Sequence, residues 1–106
     1  MLVVSVMYPG ASGESFDHDY YLATHIPLVR ERWQGMGLQN IRLLRGVEGP
    51  DGSKPTYSMV ALLQFESAEA FKRAGSAHGK EIFADIPKFT DAKPVMQFNT
   101  DAGGGG

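Results

Sequence analysis

A chain of 106 residues, 42% of them hydrophobic, with a net charge of −2 is sized for one domain with a real but modest core. Its 10 Lys and Arg residues are scattered among 12 acids, so it lacks the basic stripe that nucleic-acid binding uses. The absence of cysteine excludes disulfides, thiol nucleophiles and thiolate metal sites.

Met1 to Tyr8 is valine-rich and short, and it has neither a positive n-region nor a small-residue cleavage site. It reads as a first strand and not as a leader. Pro9 to Gly13 is a loop. Asp17 is placed to N-cap a first helix, with Asp19 in the first turn favoured by the helix dipole. Leu22, Ile26, Val29 and Trp33 form one helical stripe, and Tyr21, His25 and Leu28 form another beside it. Pro27 lacks an N–H and is expected to bend the helix near His25. Gly35 and Gly37 are expected to end it. A second strand is expected over about Asn40–Val47, a turn over Gly49–Ser53 and a third strand over Tyr57–Phe65. Ser67 caps a second helix, Gly79 is read as a break, and Glu81 to Ile86 as a further short turn stopped by Pro87. A fourth strand covers Val95–Asn99. Residues 1–100 form the expected domain, and residues 101–106, ending in four glycines, a flexible tail.

This β-α-β-β-α-β order is the ferredoxin-like arrangement of the α+β class, an antiparallel four-stranded sheet with both helices on one face. The other face should then be polar. It is only partly so: strand one alternates Leu2, Val4, Val6, Tyr8 with Val3, Ser5, Met7, and strand three alternates Tyr57, Met59, Ala61, Leu63, Phe65 with Ser58, Val60, Leu62, Gln64. Two apolar faces need two covers, and a second copy of the chain is the simplest second cover. The expectation is a homodimer built as a shared α/β barrel. No apolar run approaches membrane-spanning length, and a cysteine-free chain fits a reducing, cytoplasmic compartment.

His25 carries the chemical interest. Its ordinary pKa of about 6.5 suits an acid or a base, and its apolar neighbours place it at the edge of a small-molecule pocket. The alternative is a core histidine holding helix to sheet through a hydrogen bond. Tyr20 and Tyr21 point about 100° apart on a helix. Tyr21, one turn before His25, is the better pocket partner, and Tyr20 is read as interfacial or part-exposed. Asp85 lies among apolar residues and is read as capping a turn or binding a backbone N–H, with a buried carboxylate of raised pKa as the lesser alternative. Tyr8, Tyr20, Trp33, Phe83 and Phe89 are candidates to line a ligand pocket, with core packing as the simpler reading of Trp33. His78 is read as closing the second helix. No metal site is expected, because His18 and His25 lie roughly 10 Å apart along a helix axis, too far for two bonds of about 2.1 Å. No nucleotide or nucleophile-elbow motif is present, and no cofactor is expected.

The chain resembles the EthD family, small proteins associated with ethyl tert-butyl ether degradation. The resemblance rests on Asp17-x-x-Tyr20-Tyr21-x-x-x-His25-x-Pro27-Leu28-Val29, on Phe83-Ala84-Asp85-Ile86-Pro87-Lys88-Phe89-Thr90-Asp91 and on Pro94-Val95-Met96-Gln97. It implies a ferredoxin-like protomer in a dimeric α/β barrel and a role beside oxidative degradation systems, often under a generic oxidoreductase label. Relatives on that barrel include cofactor-independent monooxygenases, isomerases and dehydrating enzymes, and fold alone does not choose among them. Two readings follow. The first is a dimer that binds a small apolar organic compound and assists its oxidative breakdown. The second is a cofactor-independent enzyme of isomerase, dehydratase or lactone type, with His25 as acid or base and Tyr21 or Asp85 supporting it.

Overall fold

The computed structural model describes residues 1–104; Gly105 and Gly106, the end of the expected tail, lie outside the described residues. Four strands, β1 (Leu2–Pro9), β2 (Leu38–Arg45), β3 (Tyr57–Phe65) and β4 (Val95–Asn99), form one antiparallel sheet in the order β2-β3-β1-β4. A helical run over residues 18–36 joins β1 to β2, and one over residues 68–88 joins β3 to β4. This is the ferredoxin-like α+β fold. No helix among the described residues is long and apolar enough to cross a membrane.

Strand alternation sorts the sheet into two faces. Val4 pairs with Leu63, Val6 with Ala61 and Tyr8 with Met59, all buried under the helices. Val6 also faces Met96, and Ile41 faces Leu63. The residues between them form the opposite face. There the register sets Leu44, Val60, Met7 and Val95 in one row across all four strands. This row is apolar throughout, and its end members Leu44 and Val95 are 41% and 45% exposed. The next row holds Arg42, Leu62, Ser5 and Gln97. Here Asn99 Nδ2 donates to Ser5 Oγ at 2.7 Å and covers it.

Asp17 caps the first helix, accepting from the Tyr20 N–H at 3.0 Å. The helix then widens over Tyr21–His25, where the Ile26 N–H reaches back five residues to the Tyr21 carbonyl. It returns to α-helical geometry over Ile26–Trp33, with Pro27 in the first turn of that stretch. Pro27 has no N–H to offer, and the widened turn lies immediately before it. The extra residue shifts the register. Tyr21 joins Ile26, Val29 and Trp33 on the inner face, and Leu22, expected there by regular spacing, is 52% exposed. The turn Gln34–Met36 follows, and Gly37, at φ 101°, closes the run in the left-handed conformation that favours glycine. Gly35 lies within that closing turn and does not itself end the helix.

The second helix starts at Ser67, whose hydroxyl accepts from the Ala70 N–H at 3.1 Å. It is α-helical over Ala68–Ala74, widened over Gly75–Gly79 and α-helical again over Lys80–Asp85. Gly79 therefore does not break it, and His78 sits mid-helix instead of at its end. Glycine's weak helix propensity is overridden here by packing of the flanking turns. Pro87 lies inside the closing turn Ile86–Lys88 and does not precede it as a stop. β2 begins and ends two residues earlier than the sequence pattern places it. The Trp33 indole N–H donates to the Ala74 carbonyl at 2.8 Å and fastens the two helices together.

Candidate functional site

Two distant segments are stitched side by side. The Asp17 N–H donates to the Phe89 carbonyl at 2.7 Å. Phe16 and Thr90 form an isolated β-bridge, and the Ser15 N–H donates to Asp91 at 2.8 Å. The stretch leading into the first helix is thus zipped to the stretch leaving the second. That pairing fixes the start of the widened turn against the end of Lys80–Asp85.

The result is a contact between His25 and Asp85, 60 residues apart in sequence, with Nδ1 and Oδ2 at 2.9 Å. Both residues are buried. The other carboxylate oxygen, Oδ1, accepts from the Tyr20 hydroxyl at 2.8 Å, and Lys88 Nζ stands 3.8 Å from it. Tyr21 stacks on the imidazole at 5.6 Å with 20° between planes. Phe89 packs on the imidazole at 4.6 Å.

The charge states follow from these surroundings. Burial lowers the His25 pKa below its ordinary value, and the hydrogen bond and charge of Asp85 oppose this without cancelling it. Burial works against ionised Asp85. The hydrogen bonds from His25 and Tyr20, with the charges of His25 and Lys88, outweigh it and hold the carboxyl below its usual range. At neutral pH the pair is an ionised carboxylate and a neutral imidazole. A carboxylate only accepts, so Nδ1 carries the ring proton and Nε2 is the nitrogen left with a lone pair. Burial pushes the Tyr8 hydroxyl well up, and burial with the charge of Tyr8 does the same for Tyr21, so both phenols stay protonated.

His25 borders an apolar cavity of about 40 Å³ between sheet and helices. Tyr8, Tyr21, Trp33 and Phe83 line it too, together with Val6, Met96 and others. Tyr20 and Phe89, expected in the same role, do not line it. Tyr20 turns to Asp85 because it lies about 100° round the helix from Tyr21, and Phe89 sits at the centre of an aromatic cluster with Tyr8, Phe16 and Tyr21. Phe71, Ile82 and Met96 join the lining without having been named as pocket candidates. Their inward spacing on the second helix and β4 was the available signal. Among the described residues, no group of three or more His, Asp or Glu side chains is placed to hold a metal ion.

The comparisons agree with this architecture. An EthD-like protein from Ralstonia eutropha is 36% identical with a TM-score of 0.85, over 92% of this chain and 88% of that one. An ethyl tert-butyl ether degradation family protein from Bacillus halodurans is 21% identical with a TM-score of 0.75, over 95% of this chain and 98% of that one. SnoaB, a cofactor-independent oxygenase from Streptomyces nogalater, shares the fold at 13% identity and a TM-score of 0.68, over 97% and 94% of the two chains. No protein of curated function matches. The EthD domain matches residues 9–93, and this chain belongs to the EthD family.

Proposed function

We propose that the chain is a small-molecule enzyme in which His25 acts as a general base on a compact, mostly apolar organic substrate. One observation carries this reading: a buried, neutral imidazole is held at Nδ1 by an ionised carboxylate while bordering an apolar cavity. Nε2 would take a proton from an activated C–H or O–H of the substrate. Asp85 would stabilise the imidazolium that results. The neutral phenols of Tyr8 and Tyr21 supply donors near the negative charge that develops. An electron-rich deprotonated substrate is also the kind of species that reacts with dioxygen, so the reading accommodates isomerisation and the cofactor-independent oxygenation ascribed to SnoaB.

At about 40 Å³ the cavity admits little more than water. Substrate entry therefore requires its softer wall to move: Met96, which is flexible, and Phe83, which is 43% exposed.

The assay is hydrogen–deuterium exchange by NMR on a panel of small ketones, lactones and phenols in D2O. Exchange catalysed by the wild-type chain should fall by about 10²–10⁴-fold in His25→Ala. Unchanged exchange in that variant would overturn the base reading, and binding without any exchange by the wild-type chain would favour a carrier that assists oxidative breakdown.

The apolar row Leu44, Val60, Met7 and Val95 on the outer sheet face supports a homodimer as the working form, since a monomer would leave it in water. Native mass spectrometry should show a dimer, and Val60→Asp should convert it to monomer. A wild-type monomer at micromolar concentration would sink this part.

A further inference from the structure

We propose that Tyr20 is a positioning residue for His25, fixing the Asp85 carboxylate in the orientation that presents Oδ2 to the imidazole. This rests on the reading of His25 as a base.

Asp85 has one oxygen for each partner: Oδ1 for the Tyr20 hydroxyl at 2.8 Å and Oδ2 for His25 Nδ1 at 2.9 Å. A carboxylate turns about its Cβ–Cγ bond unless both oxygens are held. On its other side Asp85 borders a solvent-open groove with Leu28, Glu81, Ala84 and Lys88. There the Lys88 ammonium competes for Oδ1 at 3.8 Å, from a mostly exposed side chain. Without Tyr20 the carboxylate would have a cation and water on the groove side and only His25 on the other. Tyr20 is itself anchored, its ring stacked on Phe89 at 6.3 Å and 23°. Its bond to Asp85, with burial and the Asp85 charge, pushes the hydroxyl pKa up, so it remains a donor. The paired tyrosines thus divide the work, Tyr21 lining the cavity and Tyr20 holding the carboxylate behind the imidazole.

The test is side-chain ¹⁵N NMR of His25, which reads the tautomer whether or not a substrate is known. Wild type should show the neutral ring as the Nδ1–H form. Tyr20→Phe keeps the ring and removes one oxygen. It should turn that signal into a mixture of both tautomers with the backbone spectrum otherwise intact, and should lower kcat for proton exchange with little change in KM. An unaltered Nδ1–H signal in Tyr20→Phe would overturn the proposal. Lys88→Met needs no change at position 20. It should leave the tautomer as in wild type, and a shift there would assign the carboxylate's orientation to Lys88 instead. A lost tautomer preference in Tyr20→Phe together with full exchange activity in His25→Ala would keep the positioning role and remove the base.

Discussion

The two β-α-β halves of the chain use the same backbone device for different ends. Each helix widens for five residues, over Tyr21–His25 in the first half and Gly75–Gly79 in the second. Each then resumes as α-helix and closes with a three-residue turn, Gln34–Met36 or Ile86–Lys88. In the first half the widened turn begins with Tyr21 and ends with His25, both against the cavity. In the second it begins and ends with glycine. The second helix contributes on either side of that turn, Phe71 before it and Ile82, Phe83, Asp85 and Ile86 after it. A widened turn, often found at functional sites, therefore makes no site by itself. The acid–base pair takes one member from each half, so anything that loosens the seam between halves should damage the site along with the fold.

Trp33 is the strongest point at which to break that seam. It is buried, lines the cavity and donates across to the second helix at Ala74, just before the widened turn. Trp33→Ala should cost about 3–5 kcal/mol, read as a lowered urea midpoint. Trp33→Phe keeps most of the packing but strands the Ala74 carbonyl, and should cost about 1–3 kcal/mol. Equal costs for the two would mean that the hydrogen bond, and not the indole's volume, holds the halves together.

The His25–Asp85 contact is the next most sensitive point, and pH probes it. Burial holds the folded pKa of His25 below the unfolded value, with Asp85 on the second helix pulling it back up and neutral Tyr21 and Tyr8 as the other ionisable groups nearby. Between those two pKa values the unfolded chain binds more protons, so the His25 contribution to stability is present above about pH 6.5 and is lost as pH falls toward the folded pKa. The Asp85 contribution is present above the ordinary carboxylate pKa and is lost as pH falls through its depressed value. An NMR titration should place His25 below 6.5 in wild type and lower still in Asp85→Asn, which removes the groups that raise it. A midpoint that rises in Asp85→Asn would contradict this electrostatic account. The acid limb of any base-catalysed rate should follow the same midpoint.

Much of this was legible in the sequence, and the part that was not has a common cause. Strand alternation marked the buried sheet face and the apolar row on the other, and the i, i+4 spacing of Tyr21 and His25 put both on the cavity. Those signals are local. The widened turn changed what followed from them: one extra residue sent Leu22 outward, although its spacing to Ile26 is that of a regular helix. The pairing of Tyr20 with Asp85 spans 65 residues and left no periodic trace. Asp85 was marked by its apolar surroundings and by the Phe83–Asp91 motif, neither of which points to Tyr20. Gly79 misled because glycine usually marks a helix end, whereas here flanking packing carries the helix through it.

The smallest expected effects come from the glycines and separate two reasons for having one. Gly37 is required by conformation and contact. At φ 101° a side chain is strained, and a Cβ there would lie 2.7 Å from the Ala70 Cβ. Gly37→Ala should therefore destabilise by more than about 1 kcal/mol. Gly79 stands in ordinary helical geometry, φ −57° and ψ −41°, and a Cβ there would meet nothing within 4 Å. Gly79→Ala should stabilise by about 0.4–1 kcal/mol, seen as a raised thermal midpoint. A loss in its place would mean that the space beside Gly79 is filled in solution. If that loss changes with protein concentration, the filler is a partner copy.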